Sequence, residues 1–171
     1  PCKMTKAQAL VAAVRREVGV TEANNPERVN EYRRCVDGRA SGESWCCGLV
    51  WFCSREVGRP EIFLTEHVAT LWDRSPHELR IKTPEPGCLA VYYDKTNPML
   101  GHVEIVTEIL DETKQLQVGG NTSPAKIMDR AGRGCWEKER ARSPSMGSLM
   151  LRGYLRVWAD PNAEETFGPA F

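Results

Sequence analysis

Two adjacent thiols, Cys46 and Cys47, stand near the start of an apolar run that reads SWCCGLVWFC from Ser44. The run predicts a buried helix over 45–57 with Ser44 as its N-cap residue. A thiol in the first helical turn faces unpaired backbone N–H groups and the positive end of the helix dipole, and both stabilise a thiolate. Since neighbouring helical residues point about 100° apart, only one of the two thiols can face a given cleft. A nucleophile and two small core residues are both open interpretations of this stretch.

A thiolate nucleophile requires a base, and the chain has three histidines. His67 falls on a predicted helix and His77 in a loop, so surface or packing roles are expected for both. His102 follows Gly101 at the start of the alternating segment HVEIVTEI, which predicts a strand. A side chain at a strand end can reach a helix N-terminus across a cleft, which makes His102 the candidate base. A structural role for His102 stays open on the residue types alone.

An imidazole base in turn requires a partner that orients its ring. Asn121 ends the segment VGGN just past the next predicted strand, and a hairpin over 102–118 would bring its amide oxygen close to His102. Asparagine in a glycine-rich turn is also a common turn former. Glu104 is the alternative partner, because it shares the His102 face of the strand two residues along.

Other chemistries have weaker support in the sequence. The spacing of Cys46, Cys47, Cys53 and His102 matches none of the usual paired zinc patterns, so we expect no metal and no cofactor. The chain lacks a Walker sequence, a G-x-G-x-x-G segment after a strand and a G-x-S-x-G elbow. Its seven cysteines are an odd number without a C-x-x-C pair, which favours reduced thiols over a disulfide framework.

The bulk properties are those of an ordinary globular domain. The chain has 171 residues, of which 41% are apolar and 27% charged. Its 23 basic and 23 acidic residues cancel, which argues against a general attraction to nucleic acid or to an acidic membrane surface. No apolar stretch reaches the roughly 18 residues of a membrane span. We therefore expect no nucleic-acid partner, no membrane partner and a monomer.

Helical patterns come first along the chain and strand patterns follow. The predicted helices cover 5–18, 27–36, 45–57 and 65–72. The predicted strands cover 88–93, 102–109, 115–118 and 153–158. This order predicts an α+β domain in which N-terminal helices pack on a small antiparallel sheet. We assign residues 1–160 to a single catalytic domain and residues 161–171 to a flexible tail.

Residues 126–142 are locally basic, with six Lys or Arg residues against three acidic ones. A solvated loop is one interpretation of this segment. The other is a surface that binds an anionic polymer through side chains such as Arg133, Lys138 and Arg140.

Four sequence blocks together carry a resemblance to a known family. They read, in order, SWCCGLVWF, PEPGCLAVYYD, GHVEIV and GGNTS. They resemble the papain-like amidases and endopeptidases of bacterial cell walls, which include the CHAP (cysteine, histidine-dependent amidohydrolase/peptidase) domains and their NlpC-type relatives. The segment VGVTEANNPERVNEY resembles the lead-in, a G-x-x-E followed by a short helix, of the phage endolysin-like subgroup. The similarity covers about residues 7–123 and implies a papain-like fold.

The resemblance also implies a role for individual residues. The family nucleophile directly follows the tryptophan, Trp45, and therefore corresponds to Cys46, while Cys47 takes the place of a small core residue. The family base corresponds to His102 and the orienting polar residue to Asn121. In such enzymes the thiolate attacks an amide carbonyl, the histidine protonates the leaving amine, and water hydrolyses the acyl-enzyme. Trp45 and Cys47 would then modulate the site.

The implied substrate is peptidoglycan. The enzyme would be an N-acetylmuramoyl-L-alanine amidase or an endopeptidase of the stem peptide or cross-bridge, and Arg133, Lys138 and Arg140 would meet the glycan or an anionic wall polymer. Two alternatives stay open: a papain-like protease or amidase acting on a protein or small amide, and a non-catalytic wall-binding or interaction domain on the same fold.

Three positions depart from the family pattern. Leu49 replaces an aromatic residue and Cys88 replaces an aspartate. Glu104 replaces the glycine that the family has two residues after the base histidine. Glu104 brings a carboxylate near the site, so we treat it as a further modulator.

The N-terminal segment PCKMTKAQAL lacks the apolar core of a secretory signal. We expect synthesis in the cytoplasm without a signal peptide. Action on the wall or periplasm would follow release or injection of a phage lysin, a tail-associated hydrolase or a bacterial effector.

Overall fold

The structure, a computed structural model, describes residues 3–40, 43–124, 132–143 and 145–164. The helices are α1 (Lys6–Arg16), α2 (Pro26–Asp37), α3 (Cys46–Val57) and α4 (Val68–Arg74), and a 3₁₀ turn follows at His77–Leu79. The strands are β1 (Arg80–Ile81), β2 (Leu89–Asp94), β3 (Gly101–Ile109), β4 (Lys114–Thr122), β5 (Gly134–Ala141), β6 (Ser145–Met146) and β7 (Leu149–Leu155). The predicted α+β class, with N-terminal helices ahead of an antiparallel sheet, is confirmed.

The strands form one antiparallel sheet in the order β1-β7-β2-β3-β4-β5, and β6 pairs with β7. Helix α3 packs on α1 and on α2, and it also packs on β3 and β4. The main core lies between these helices and one sheet face, which presents Val103 and Ile105 of β3. The alternate β3 residue Val106 packs in a second, smaller cluster on the other face. The period of two along β3 thus separates the two faces.

The first two helices form for local reasons. Thr5 and Gln8 make a capping box at the start of α1, in which each side chain accepts from the other residue's backbone N–H. Asn25 caps α2 by accepting from the Arg28 backbone N–H. Gly38 ends α2 at φ 80°, a left-handed conformation that glycine adopts without a Cβ penalty.

Helix α3 is buried along most of its length, because it lies between α1, α2 and the sheet. Gly48 allows the close approach of α2: a Cβ at this position would lie 2.8 Å from the Tyr32 carbonyl carbon. The predicted N-cap is wrong by one residue. Trp45 occupies the N-cap position, and no side chain of its own caps the helix, which begins at Cys46.

Several predicted strands differ in length, and one strand was missed. Strand β4 runs to Thr122, four residues beyond its prediction, and β7 spans 149–155 instead of 153–158. Residues 134–141 form β5 and not a solvated loop, while residues 126–131 of the basic stretch lie outside the described residues. The alternation of β5 was hidden because its buried positions include charged side chains.

The first part of the predicted flexible tail is ordered against α1. The backbone N–H groups of Lys6 and Ala7 donate to the carbonyls of Ala163 (3.1 Å) and Pro161 (2.9 Å). Thr5 and Glu164 form an antiparallel bridge. These bonds occupy N–H groups of the first helical turn, which have no acceptor within the helix. The tail prediction is therefore wrong for residues 161–164, and residues 165–171 lie outside the described part. Among the described residues, no helix is long and apolar enough to cross a membrane.

Candidate active site

Cys46 and Cys47 are the first two residues of α3, and both are buried, with 3% and 2% of their surface exposed. A hydrogen bond from the Cys47 thiol and the neighbouring His102 hold the pKa of Cys46 well below its usual value, against the opposing effect of burial. The same hydrogen bond, together with burial, raises the pKa of Cys47 well above its usual value. The Ser44 hydroxyl lies 3.8 Å from the Cys46 Sγ. The two pKa shifts are opposite, so deprotonation is favoured at Cys46 over Cys47.

His102 lies at the start of β3 with its side chain fully buried. Its Nε2 is 3.1 Å from the Glu104 Oε2. Its Nδ1 makes no hydrogen bond within the described part of the chain, and it is the ring nitrogen left for Cys46. Burial alone lowers the pKa of His102, but Cys46 and Glu104 together raise it to about 9. The lowered pKa of Cys46 and the raised pKa of His102 both favour a thiolate–imidazolium pair.

Glu104 is the partner that orients the His102 ring. Its carboxylate also accepts two hydrogen bonds from Arg140, at 2.9 and 3.1 Å, and one from the Gln117 amide at 2.9 Å. Burial raises the pKa of Glu104, but His102 and Arg140 outweigh it and hold the pKa far below its usual range. The carboxyl group lies over Gly119, where a Cβ would be 2.7 Å from the Glu104 Cγ and closer still to Oε2.

Asn121 performs a different task from the predicted one. Its Oδ1 accepts from the Trp45 backbone N–H and from the Ser44 hydroxyl (3.2 Å), and its Nδ2 donates to the Gly132 carbonyl (3.3 Å). Among the described residues it makes no hydrogen bond to His102. Its φ of 56° is left-handed, a conformation that asparagine tolerates better than most residues. The prediction that Asn121 orients the imidazole is therefore corrected: it holds the start of α3 against the end of β4.

Trp45 fixes the same helix end from the other side. Its ring is fully buried, stacks on Tyr32 at 5.4 Å between centroids, and donates from Nε1 to the Glu22 carboxylate at 3.0 Å. Arg33 pairs with Glu22 at 3.2 Å. Gly120 leaves room for the ring, because a Cβ there would lie 2.6 Å from the Trp45 Cε3. Glu22 was not among the predicted site residues, although it is the glutamate of the G-x-x-E segment that resembles the family lead-in.

The three basic side chains predicted to bind a polymer lie in different environments. Arg133 is exposed. Lys138 and Arg140 are 9% and 1% exposed, so neither offers its charge to a large ligand. The prediction is wrong for these two residues because they lie at buried positions of β5. Sequence reasoning missed the contribution of Arg140 and Gln117 to the site, since no local pattern distinguishes a buried polar strand position from a solvated one.

One group of acidic side chains lies elsewhere on the molecule. Asp37, Glu43 and Glu66 each offer an oxygen within 4.8 Å of the others, which is the only such metal-type grouping among the described residues. Asp37 is exposed, and neither Cys46 nor His102 belongs to the group.

Comparison with known proteins gives one family match. Residues 38–121 match the family model described as the CHAP domain. No curated protein and no solved structure matches the chain. CHAP domains are typically hydrolases of the cysteine and histidine type, with peptidoglycan as the implied substrate. The matched segment contains Cys46, His102, Glu104 and Asn121. Together with the α+β fold, this match shows that residues 38–121 belong to a papain-like domain of the CHAP type.

Proposed function

We propose that this protein is a peptidoglycan hydrolase that cleaves an amide bond with Cys46 as nucleophile and His102 as general acid and base. The observation that carries the proposal is the buried pair itself. A thiolate at a helix N-terminus beside an imidazolium oriented by a carboxylate is the arrangement that nucleophilic amide cleavage needs.

The mechanism follows from the two ring nitrogens. The Cys46 thiolate attacks the carbon of the amide carbonyl, and the carbonyl oxygen becomes an oxyanion. This oxyanion lies near the backbone N–H of Cys46, a group that has no acceptor within the helix. The Nδ1 proton of His102 passes to the leaving amine as the C–N bond breaks. Neutral His102 then takes a proton from water, whose oxygen attacks the thioester, and free Cys46 and a carboxylic acid result. Glu104 holds the ring in position throughout.

The bond cleaved is either the amide between muramic acid and the stem peptide or an amide within the stem peptide or cross-bridge. The protein would reach this substrate after release or injection, as a phage lysin, a tail-associated hydrolase or an effector delivered between bacteria. Cys46 and Cys47 are adjacent and similarly buried, 3% and 2% exposed, so their alanine variants form a matched pair for a test of this proposal.

The test is digestion of purified peptidoglycan, with mass spectrometry of the products, by wild type, Cys46→Ala and Cys47→Ala. We expect fragments from wild type and from Cys47→Ala, and none from Cys46→Ala, since the pKa shifts favour the thiolate at Cys46 and disfavour it at Cys47. The fragment masses name the bond. Intact peptidoglycan in every reaction, across several wall chemistries, would contradict the proposal and point to a protein substrate or a binding domain.

A further inference from the structure

The hydrogen bonds of the Glu104 carboxylate are complete, and they come from three adjacent strands. Oε1 accepts from Gln117 of β4 (2.9 Å) and from the Arg140 Nε of β5 (2.9 Å). Oε2 accepts from the second Arg140 nitrogen (3.1 Å) and lies 3.1 Å from the His102 Nε2. Each carboxylate oxygen thus has two partners, as many as its lone pairs can accept. The fork of Arg140 fixes the plane of the carboxylate as well as its charge.

Arg140 completes a buried row of alternating charges. From α3 to β5 the row consists of the Cys46 thiolate, the His102 imidazolium, the Glu104 carboxylate and the Arg140 guanidinium, and no member is more than 3% exposed. A buried charge that loses its partner is strongly destabilised. The ionisation of Glu104, and with it the protonation of His102, therefore depends on Arg140, whose described hydrogen bonds to this row go to Glu104.

Other ionisable groups also face this row. Tyr92 of β2 pairs with His102 in the sheet, and Lys138 of β5 lies on the face of Arg140, two residues before it. Cys47 donates to Cys46. The Tyr92 hydroxyl bonds to the Gln117 side chain, whereas Arg140 donates twice to the Glu104 carboxylate.

We propose that Arg140 is a positioning residue of the catalytic centre, which keeps Glu104 ionised and directed at His102 and thereby maintains the thiolate–imidazolium pair. Only the importance of Arg140 for catalysis rests on the proposed function; its effect on Glu104 and His102 does not. Arg140 lies beyond residues 38–121, which match the family model, so the working unit extends to β5.

The test is the rate of Cys46 alkylation by iodoacetamide between pH 4 and pH 10, with the modified residue assigned by tandem mass spectrometry. In Arg140→Met we expect the inflection for thiolate formation to rise by about one pH unit or more, which makes alkylation below the inflection about tenfold slower. Arg142→Met is the matched control. Arg142 donates to the Gln115 side chain at 3.2 Å, does not contact Glu104, and should leave the inflection unchanged.

The Glu104→Gln background separates positioning from simple charge. If Arg140 acted only as a nearby cation, its removal would also raise the inflection, because a cation stabilises the thiolate directly, and the rise would be as large in Glu104→Gln as in wild type. An unchanged or lowered inflection in folded Arg140→Met would overturn the proposal.

A second variant covers the case in which Arg140→Met does not fold. In Glu104→Gln/Arg140→Met no buried charge is left unpaired between these two positions, and we expect an inflection at or below that of Glu104→Gln alone. An inflection above that of Glu104→Gln would overturn the proposal, because Arg140 would then act without Glu104. Alkylation needs no substrate, so a wild type with reactive Cys46 that leaves peptidoglycan intact would contradict the proposed function alone.

Discussion

Gly119 provides the most direct test of the geometry around Glu104, because the carboxyl group occupies the space that any larger residue at 119 would need. A Cβ there would lie 2.7 Å from the Glu104 Cγ and 2.9 Å from its Cδ, whereas ordinary contacts begin at 3.4 Å. Gly119→Ala must therefore displace the carboxylate by roughly 1 Å, a misplacement of the size that costs about a hundredfold in rate.

The displacement also breaks hydrogen bonds. A contact of 3.1 Å between Glu104 and His102 would lengthen to about 4 Å, which is no longer a hydrogen bond. Hydrogen bonds to charged groups contribute about 1.5–3 kcal/mol each, so we expect the free energy of unfolding to fall by an amount of that order. The change in activation free energy for a hundredfold loss is about 2.7 kcal/mol.

The assay is release of soluble fragments from peptidoglycan, together with urea unfolding, for Gly119→Ala in the wild-type and Glu104→Ala backgrounds. In wild type both activity and stability should fall. In Glu104→Ala the obstructing carboxyl group is absent, so adding Gly119→Ala should cost nothing and can stabilise the strand by about 0.5–1 kcal/mol, since alanine loses less entropy than glycine. Equal losses in the two backgrounds would refute the reasoning, because they would show that Gly119 acts independently of Glu104.

Two further predictions concern the other ends of the site. The pKa of His102 in the folded protein is about 9, above its value of 6.5 in a model peptide, so the protonated ring stabilises the fold by at most roughly 3 kcal/mol. This contribution is fully present below pH 6.5 and is lost as the pH rises through 9. Between pH 6 and pH 10 the free energy of urea unfolding should therefore fall more for wild type than for His102→Gln. Equal decreases in the two proteins would contradict this prediction. Asn121→Ala and Asn121→Gly both remove the acceptor for the Trp45 N–H, and we expect each to lower stability by about 1–3 kcal/mol. We expect Asn121→Ala to be about 1 kcal/mol less stable than Asn121→Gly, because the left-handed φ is unfavourable for alanine. Equal thermal midpoints of the two variants would contradict this.

Local properties of the chain were enough to select candidates, and the resemblance to the CHAP family then selected the pair Cys46 and His102 among them. Cys46 and Cys47 could be found because an apolar helix following a polar segment places a thiol in its first turn, and both features lie within a few residues of one another. His102 could be found because strand alternation begins at that residue. The order of helices and strands predicted the α+β class in the same way.

The tertiary structure alone decided which side chains support that pair. The acceptor for the His102 ring depends on how the twist and register of β3 and β4 place Glu104 and Asn121, and the left-handed φ of Asn121 directs its amide to α3 instead. Arg140 is 36 residues from Glu104 in sequence, and its charge alone suggested a solvated surface. The pairing of β5 with β4 instead brings its side chain to the Glu104 carboxylate. Such contacts depend on distance in the folded sheet, for which local sequence patterns carry no signal.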